Sequence, residues 1–344
     1  MAPLKSSLAR TAGKLLRVQK DSDLSLRGGE QRSKKKDFSA TGGDAIYTPG
    51  NGYKYHKFTT SGSLVVSAPE PVNIDILVVA GGGGGGSYYG GGGGGGGVAH
   101  AESMPIASGT YPVNIGSGGT PVEGPPNSYL GDPGSNSYFG TPGQGIGSQP
   151  DYILAKGGGG GGKGTTDGGL DGGSGGGSGG GDPGPVSDGA ATQPGTNPSP
   201  FVTDYGNQGG WSTPTGGYAP AGGGGAGAAG GNIDGDISGA GNGGTGRAFP
   251  TFAYPLIGLG PLNPRSPTNS HYAGGGGGGI YNASVSGRSG TGGHGGGGAG
   301  GGSPSPFPEN GVDKLGGGGG GRHPGGIPKG GDGGDGIVIV RYVI

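Results

Sequence analysis

The sequence predicts a small β-rich base that carries a bundle of polyglycine-II helices joined by long loops, a fold that is mostly coil by standard assignment. Glycine supplies 104 of the 344 residues, about four times its usual share. Many of these glycines stand in uninterrupted blocks of six to eight. Segments rich in β-branched and aromatic residues, which are typical of strands, precede the first block and follow the last one.

Composition excludes several common classes of protein. Leu, Ile, Val and Phe make up about 15% of the chain, which is too little for the large apolar core of an ordinary enzyme. With a net charge of −1, the chain lacks the charge repulsion that usually keeps a chain so poor in apolar residues disordered. There is no cysteine for a disulfide or a thiolate metal site. No apolar run in the sequence approaches the roughly 18 residues that a membrane-spanning helix needs.

Residues 1–42 are predicted to form a basic docking arm. The first 36 residues carry ten Lys or Arg side chains against three acidic ones, a net charge of +7. Leucines recur with helical spacing over roughly residues 4–18, which predicts a short amphipathic helix. A solvated, disordered tail is the other interpretation of such a basic segment. The side chains expected to make the docking contact are Leu4, Leu8, Arg10, Lys14, Leu15, Leu16 and Arg17.

Residues 43–80 together with 336–344 are predicted to form the β base. The segment YKYHKFTT at 53–60 alternates aromatic and polar residues, and VNIDILVVA at 72–80 ends in a nearly continuous apolar run. The last segment, GIVIVRYVI, is also β-branched and largely apolar, which indicates a strand. Because one such strand leads into the glycine-rich region and another leads out of it, we expect the two to pair.

The pure glycine blocks within residues 81–335 favour a bundle of rods over a flexible linker. Linkers are usually diluted with Ser and other polar residues. A polyproline-II strand has about three residues per turn and no internal hydrogen bonds. Strands of this kind without side chains can therefore pack closely and hydrogen-bond to one another. We expect a side chain placed within a block such as 157–162 to force the rods apart and unfold the bundle.

No catalytic or metal-binding constellation stands out in the sequence. The five histidines share no metal-ligand spacing, and aspartates occur in GDPG segments at 131–134 and 181–184, where Asp and Pro have ordinary turn roles. Matches to GxGxxG are plentiful, but none follows a strand and opens a helix as a dinucleotide-binding loop does. The sequence therefore predicts no enzymatic activity, no cofactor and no metal site.

Aromatic residues between the glycine blocks are the best candidates for a binding surface. Amphipathic rings beside Asn, Ser and Asp suit sugar or protein ligands. Packing that ties down the protein's own loops is the other interpretation of the same rings. Trp211 is the only tryptophan of the chain and the leading single candidate. The full candidate set is Tyr88, Tyr89, Tyr138, Phe139, Tyr205, Trp211, Tyr218, Phe252 and Tyr254.

An ordered set of motifs resembles the glycine-rich domain of phage virion proteins, as found in tail-fibre and other surface proteins of marine phages. The motifs span about residues 50–342 and are, in order, FTTSGSLVV, IDILVVAGGGGGG, SGTYPVNIGSGG, GSNSYFGT, ILAKGGGGGG, YAGGGGGG and GGDGIVIVRY. The architecture is also similar to that of glycine-rich tail-fibre adhesins, in which polyglycine-II bundles display host-recognition loops.

The resemblance implies a non-enzymatic protein at the virion surface, of tail-fibre or spike type, that is anchored by its N-terminus and recognises a host non-covalently. Its implied partners are other virion proteins, through residues 1–42, and a host cell-surface glycan or outer-membrane protein. A homotrimer is left open. Nucleic acid is not an expected partner, because the body of the chain is acidic and lacks interleaved arginine and aromatic repeats.

Other roles stay open beside host recognition. The main alternative is a purely structural virion part, namely a capsid decoration, a vertex fibre or a connector. An ice-binding polyglycine-II protein is a weaker alternative, because long loops and a basic leader do not suit the flat, regular face that ice binding needs. The position of the protein on the particle separates the first two interpretations.

Overall fold

The computed structural model of the chain describes residues 38–121, 129–141, 145–146, 149–150, 152–164, 167–180, 185–214, 218–235, 239–260, 269–280, 288–302, 307–324 and 329–344. The strands of this part are β1 Ser39–Thr41, β2 Ala45–Tyr47, β3 Tyr53–Phe58, β4 Gly62–Ser67, β5 Val72–Val79, β6 Val98–Ile106, β7 Gly109–Asn114, β8 Ser137–Phe139, β9 Gly145–Ile146, β10 Gln149–Pro150, β11 Ile153–Ala155, β12 Val202–Tyr205, β13 Ser212–Pro214, β14 Ile233–Gly235, β15 Arg247–Ala248, β16 His271–Tyr272 and β17 Ile337–Val343. Helix within these residues is limited to two short 3₁₀ turns, Pro250–Phe252 and Tyr254–Ile257. A β-rich fold with almost no helix confirms the coarse fold class that the sequence predicts.

Two antiparallel sheets form the base of the molecule. The five-stranded sheet has the order β1-β4-β7-β8-β11, and the six-stranded sheet has the order β12-β6-β5-β17-β3-β2. In the six-stranded sheet β5 pairs with β17, from Val79 opposite Ile337 to Asp75 opposite Arg341. The predicted pairing of the strands that lead into and out of the glycine-rich region is therefore present.

The base is larger than the predicted residues 43–80 and 336–344. Strand β1 begins at Ser39, and strands β6, β7, β8, β11 and β12 join the two sheets from within residues 81–335. Three further pairs of short strands, β9 with β10, β13 with β14 and β15 with β16, lie outside the two large sheets. Several of the added strands have only three or four residues, which is too short for an alternating pattern to predict them.

The two sheets pack face to face around one apolar core. Leu64 and Tyr111 of the five-stranded sheet share a buried cluster with Ile76, Val78 and Val340 of the six-stranded sheet. Successive side chains of a strand point to opposite faces. The residues between these positions on β5 and β17 therefore point away from the five-stranded sheet.

The outer face of the six-stranded sheet is covered by a second apolar cluster. Leu77 and Val79 pack there with Phe252, Tyr254 and Tyr272, which come from the 3₁₀ turns and β16. Both faces of β5 are thus buried, as in the interior strands of multilayered proteins. This burial explains the nearly continuous apolar run at the end of β5.

The glycine run at 81–86 makes hydrogen bonds that repeat every three residues. The N–H of Gly81 donates to the carbonyl of Ser135 (3.1 Å), and the N–H of Gly84 donates to that of Asp132 (2.8 Å). In the same way, Gly82 and Gly85 donate to segment 331–334, and Gly83 and Gly86 donate to segment 91–94. Residues three apart in the run therefore bind residues three apart in the same neighbouring segment. Successive N–H groups of the run thus point in three directions, toward three different segments.

The run at 90–97 lies at the centre of this arrangement. Its N–H groups donate to three segments, which are 156–162, 221–224 and 316–322. Its carbonyls accept from three others, which are 80–86, 174–177 and 276–279. Six hydrogen-bonded neighbours surround this one run. Backbone hydrogen bonds here take the place that side-chain packing has in an ordinary core.

The molecule has two distinct ends. At the lower end of the base, Phe38 packs edge-to-face on Tyr342 with ring centroids 4.5 Å apart, so the chain preceding residue 38 joins the base beside the end of β17. At the upper end of the base, β5 leads into run 81–86 and run 90–97 leads back into β6. The two runs leave the base together, and the turn between them lies at the distal end of the glycine bundle.

The buried histidine His56 makes the base sensitive to acid. Its Nδ1–H donates to the carbonyl of Gly42 (2.8 Å), and its Nε2 accepts from the hydroxyl of Tyr342 (3.1 Å). Burial, assisted by the nearby charge of Lys54 and opposed by the bond to Gly42, lowers the pKa of His56. The folded protein therefore holds this ring neutral.

Lowering the pH is expected to destabilise the base because of His56. The unfolded chain takes up a proton near the ordinary histidine pKa of about 6.5, whereas the folded protein does so only at lower pH. The contribution of His56 to stability is therefore full above that pH and is lost as the pH falls below it. Urea unfolding midpoints at pH 7.5 and pH 5 measure this. A His56→Gln variant should show a smaller difference between the two midpoints, and an equal difference would contradict the assignment to His56.

Candidate functional site

The turn between the two first glycine runs, residues 87–89, forms the centre of the distal end. Runs 81–86 and 90–97 lie between this turn and strands β5 and β6, so the length of the two runs separates the turn from the base. The hydroxyl of Ser87 is buried and donates to the carbonyl of Tyr129 (3.1 Å). The same oxygen accepts the N–H of Tyr129 (2.5 Å), which holds a neighbouring loop against the turn.

Other glycine runs end at the same place and fix the backbone of the turn. The carbonyl of Ser87 accepts from the N–H of Gly164 (3.3 Å), and that of Tyr89 accepts from the N–H of Gly180 (2.9 Å). Beneath the turn, the N–H of Arg322 donates to the carbonyl of Gly86 (2.9 Å). Burial lowers the pKa of Arg322. Segments that are distant in sequence therefore converge on the distal end.

Three tyrosines come together at the distal turn, and we call Tyr88, Tyr89 and Tyr218 the tyrosine cluster. Tyr88 and Tyr89 meet edge-to-face with ring centroids 5.1 Å apart. Tyr89 and Tyr218 are tilted rings with centroids 4.3 Å apart. Tyr88 and Tyr218 each expose 38% of their surface, while Tyr89 is half-buried between them. The cluster thus offers two partly open aromatic rings supported by a third.

The backbone of the turn is held in an unusual conformation. Tyr88 has a φ of 53° and Tyr89 a φ of 55°, in the left-handed region that disfavours any residue with a Cβ atom. Two consecutive residues of this kind point both side chains outward from a very short connection between adjacent runs. The cost is met by the hydrogen bonds that Ser87 and Tyr89 make to surrounding glycines.

An ion pair lies on the segment that hydrogen-bonds to the distal turn. Lys163 Nζ lies 3.5 Å from Asp167 Oδ2, and both side chains are about one-third exposed. Lys163 directly precedes Gly164, whose N–H binds the distal turn. Sequence reasoning missed these two residues. The signal that could have found them is their position in the sequence. They follow glycine run 157–162 closely, just as Tyr88 and Tyr89 follow run 81–86.

Three of the predicted binding residues are buried, and the structure corrects their assignment. Phe139, Phe252 and Tyr254 expose none of their surface. Phe139 packs parallel to Tyr111 between the sheets, with centroids 5.4 Å apart. The hydroxyl of Tyr254 donates to the carbonyl of His271. These rings are core residues, because large aromatic side chains supply much of the apolar surface that this glycine-rich chain can bury.

Three further candidates, Tyr138, Tyr205 and Trp211, are half-buried. Tyr138 lies on β8, 5.4 Å from the ring of Tyr152. Tyr205 lies on edge strand β12 under the guanidinium of Arg247, at 4.8 Å. Trp211 lies beside β13, where its backbone N–H donates to Asn232 Oδ1 (3.1 Å). Ser212, the next residue, donates its hydroxyl to the carbonyl of Gly179 (2.8 Å), beside the Gly180 whose N–H binds the distal turn.

The predicted docking residues lie outside the described part of the chain. These residues are Leu4, Leu8, Arg10, Lys14, Leu15, Leu16 and Arg17. Among the described residues, no helix is long and apolar enough to cross a membrane. The same residues contain no group of three or more His, Asp or Glu side chains placed to hold a metal ion.

Comparison with known proteins identifies one family. The profile of a glycine-rich domain matches residues 59–343, which is most of the chain. The match includes every strand from β4 to the final strand β17 and every glycine run. No curated protein matches the chain at a significant level.

Proposed function

The chain belongs to the glycine-rich domain family, and from that premise we propose that it is a surface protein of a phage virion, a tail-fibre or spike-type adhesin. In this role residues 1–42 attach it to other virion proteins. The distal end of the glycine bundle contacts a host cell-surface glycan or outer-membrane protein. No covalent chemistry is involved.

The observation that carries this proposal is the polarity of the molecule. The chain preceding residue 38 joins the lower end of the base, next to Tyr342. The exposed tyrosine cluster lies at the opposite end, beyond the glycine runs. A protein that is anchored at one end and recognises a surface at the other needs this arrangement. The basic charge of residues 1–36 suits attachment to an acidic partner surface.

The glycine runs are proposed to be polyglycine-II helices, which would make the distance between the two ends rigid. Support comes from the three-residue period of the hydrogen bonds, which equals the number of residues per turn of that helix. It also comes from the lack of room for a Cβ atom at run positions such as Gly82 and Gly158. NMR measurement of backbone dihedral angles tests this, with φ near about −75° and ψ near about +145° expected.

Location on the particle tests the proposed function. Antibody against the full chain, followed by gold labelling and electron microscopy of virions, should mark the tips of fibres or spikes. Purified full-length chain should also compete with virions for adsorption to host cells. Label confined to an internal collar, with no competition, would contradict the proposal.

A purely structural role is the second candidate, as a capsid decoration, vertex fibre or connector. The burial of Phe139, Phe252 and Tyr254 favours this role, because these rings stabilise the fold and fewer aromatic side chains remain for recognition of a ligand. Label spread along the capsid wall, together with normal adsorption by particles that lack the protein, is the outcome expected for this role.

A further inference from the structure

We propose that the tyrosine cluster is a binding site for neutral carbohydrate, in which the apolar face of a hexose ring stacks on Tyr88 or Tyr218. This inference rests on the proposed recognition role of the distal end and names the ligand class for it. The site comprises Tyr88, Tyr89 and Tyr218 with the adjacent ion pair of Lys163 and Asp167.

The first argument is the choice of residue at two strained positions. Among the described residues, glycines such as Gly164 and six other residues, including Ser103 and Ala273, have a positive φ. Tyr88 and Tyr89, between two blocks of glycine, are the consecutive pair among these six. Strained backbone conformations cluster at ligand-binding sites, where a residue other than glycine is kept for its side chain. We therefore attribute a binding role to the rings of these two tyrosines.

The second argument is the geometry of the rings. Tyr89 packs against Tyr88 at 5.1 Å and against Tyr218 at 4.3 Å, so it fixes the orientation of both. The two outer rings are open over 38% of their surface. Tyrosine presents an apolar face and a hydroxyl that can hydrogen-bond at its edge. A hexose offers the matching pair, with C–H groups on one face and hydroxyls around the rim.

The third argument is the charge beside the rings. Lys163 and Asp167 carry opposite charges and lie 3.5 Å apart, so this ion pair adds no net charge. An ammonium group donates and a carboxylate accepts hydrogen bonds, which suits the hydroxyls of a sugar. The ion pair therefore suits a neutral sugar, whose hydroxyls can both donate and accept.

The size of the tyrosine cluster suits a small ligand. Within the described residues, the cluster offers two partly open rings and one ion pair, which is the scale of one or two sugar units. Repeated copies on a particle would raise the weak affinity of such a site through avidity.

The experiment uses the full chain on an array of neutral oligosaccharides printed beside sialylated and sulfated ones. The wild type should bind neutral hexose-containing glycans. The variant Tyr88→Gly removes one ring and at the same time relieves the left-handed strain. We expect it to lose affinity about tenfold, with a melting temperature equal to or higher than that of the wild type. Loss of binding with gain of stability is a result that a packing role cannot produce.

The matched control is Tyr138→Ser, which removes a tyrosine from the side of the base, and its affinity should equal that of the wild type. Tyr218→Ser should weaken binding as Tyr88→Gly does. Unchanged affinity in both cluster variants would overturn the site, and a clearly lower melting temperature of Tyr88→Gly would assign its ring to packing. Preference for anionic glycans would overturn the ligand class.

A failure of this inference can be told apart from a failure of the proposed function. If the chain binds no glycan but still blocks virion adsorption, and protease treatment of the host cells removes its binding, the ligand is a protein. The carbohydrate inference then fails while the adhesin role stands. If the chain neither binds glycans nor blocks adsorption, both fail.

Discussion

The variant Gly93→Ala is expected to lower the free energy of unfolding by about 4 kcal/mol or more. Gly93 lies in the central run 90–97, and a Cβ atom there would overlap the carbonyl of Gly83. Its N–H donates to Gly319 (2.9 Å) and its carbonyl accepts from Gly276 (2.8 Å). A single methyl group would therefore push run 81–86 away from run 90–97 and leave buried backbone groups without partners. Urea unfolding followed by circular dichroism measures the effect.

Gly260→Ala is the matched control for this substitution. A Cβ atom at Gly260 meets nothing within 4 Å, so its stability should stay within about 1 kcal/mol of the wild type. Equal stability of Gly93→Ala and Gly260→Ala would show that close packing of glycine runs does not hold the bundle together. A Gly→Val substitution within 157–162 should act in the same direction as Gly93→Ala, because those glycines are also enclosed by backbone.

The variant Phe252→Ala is expected to cost about 3–5 kcal/mol of stability. Phe252 is completely buried on the outer face of the six-stranded sheet. Its ring lies 5.6 Å edge-to-face from His100 and 5.3 Å from the guanidinium of Arg341. Removal of the ring would leave a cavity between the sheet and the segment that covers it. Thermal unfolding of the purified full chain measures the loss.

Phe307→Ala is the corresponding control, because Phe307 is 54% exposed. Its effect on stability should remain within about 0.5 kcal/mol. Adsorption blocking by Phe252→Ala, measured per folded molecule at low temperature, should match that of the wild type. A normal melting temperature combined with lost adsorption blocking would contradict the burial of Phe252 and return it to the binding candidates.

The strands of the base show how far sequence patterns reach. The apolar segments at 72–80 and 336–344 are long and continuous enough to predict both strands and their pairing, and β5 and β17 do pair. Short strands such as β8 and β11 carry no such pattern, although they complete the five-stranded sheet. Long-range pairing decides their conformation, so local composition could not predict them.

The aromatic candidates show where sequence patterns stop. Composition places Tyr88, Phe139 and Phe252 in the same class, as rings near glycine and polar residues. The structure separates them, because Phe139 and Phe252 are enclosed by sheets and turns whereas Tyr88 projects from the distal turn. Tyr218 joins Tyr89 across more than a hundred residues of chain. Such contacts depend on which glycine runs become neighbours.

The sequence by itself determined that the protein is glycine-rich, poor in helix, and built on strands at both ends of the glycine region. These features follow from local chemistry, because glycine disfavours helix and β-branched runs favour strands. Only the tertiary structure decided which run hydrogen-bonds to which, and therefore which loops meet at the distal end. Glycine runs are identical in sequence, so nothing in one block specifies its neighbours. The lengths and side chains of the connecting segments, together with the register of the two sheets, place each run in the bundle.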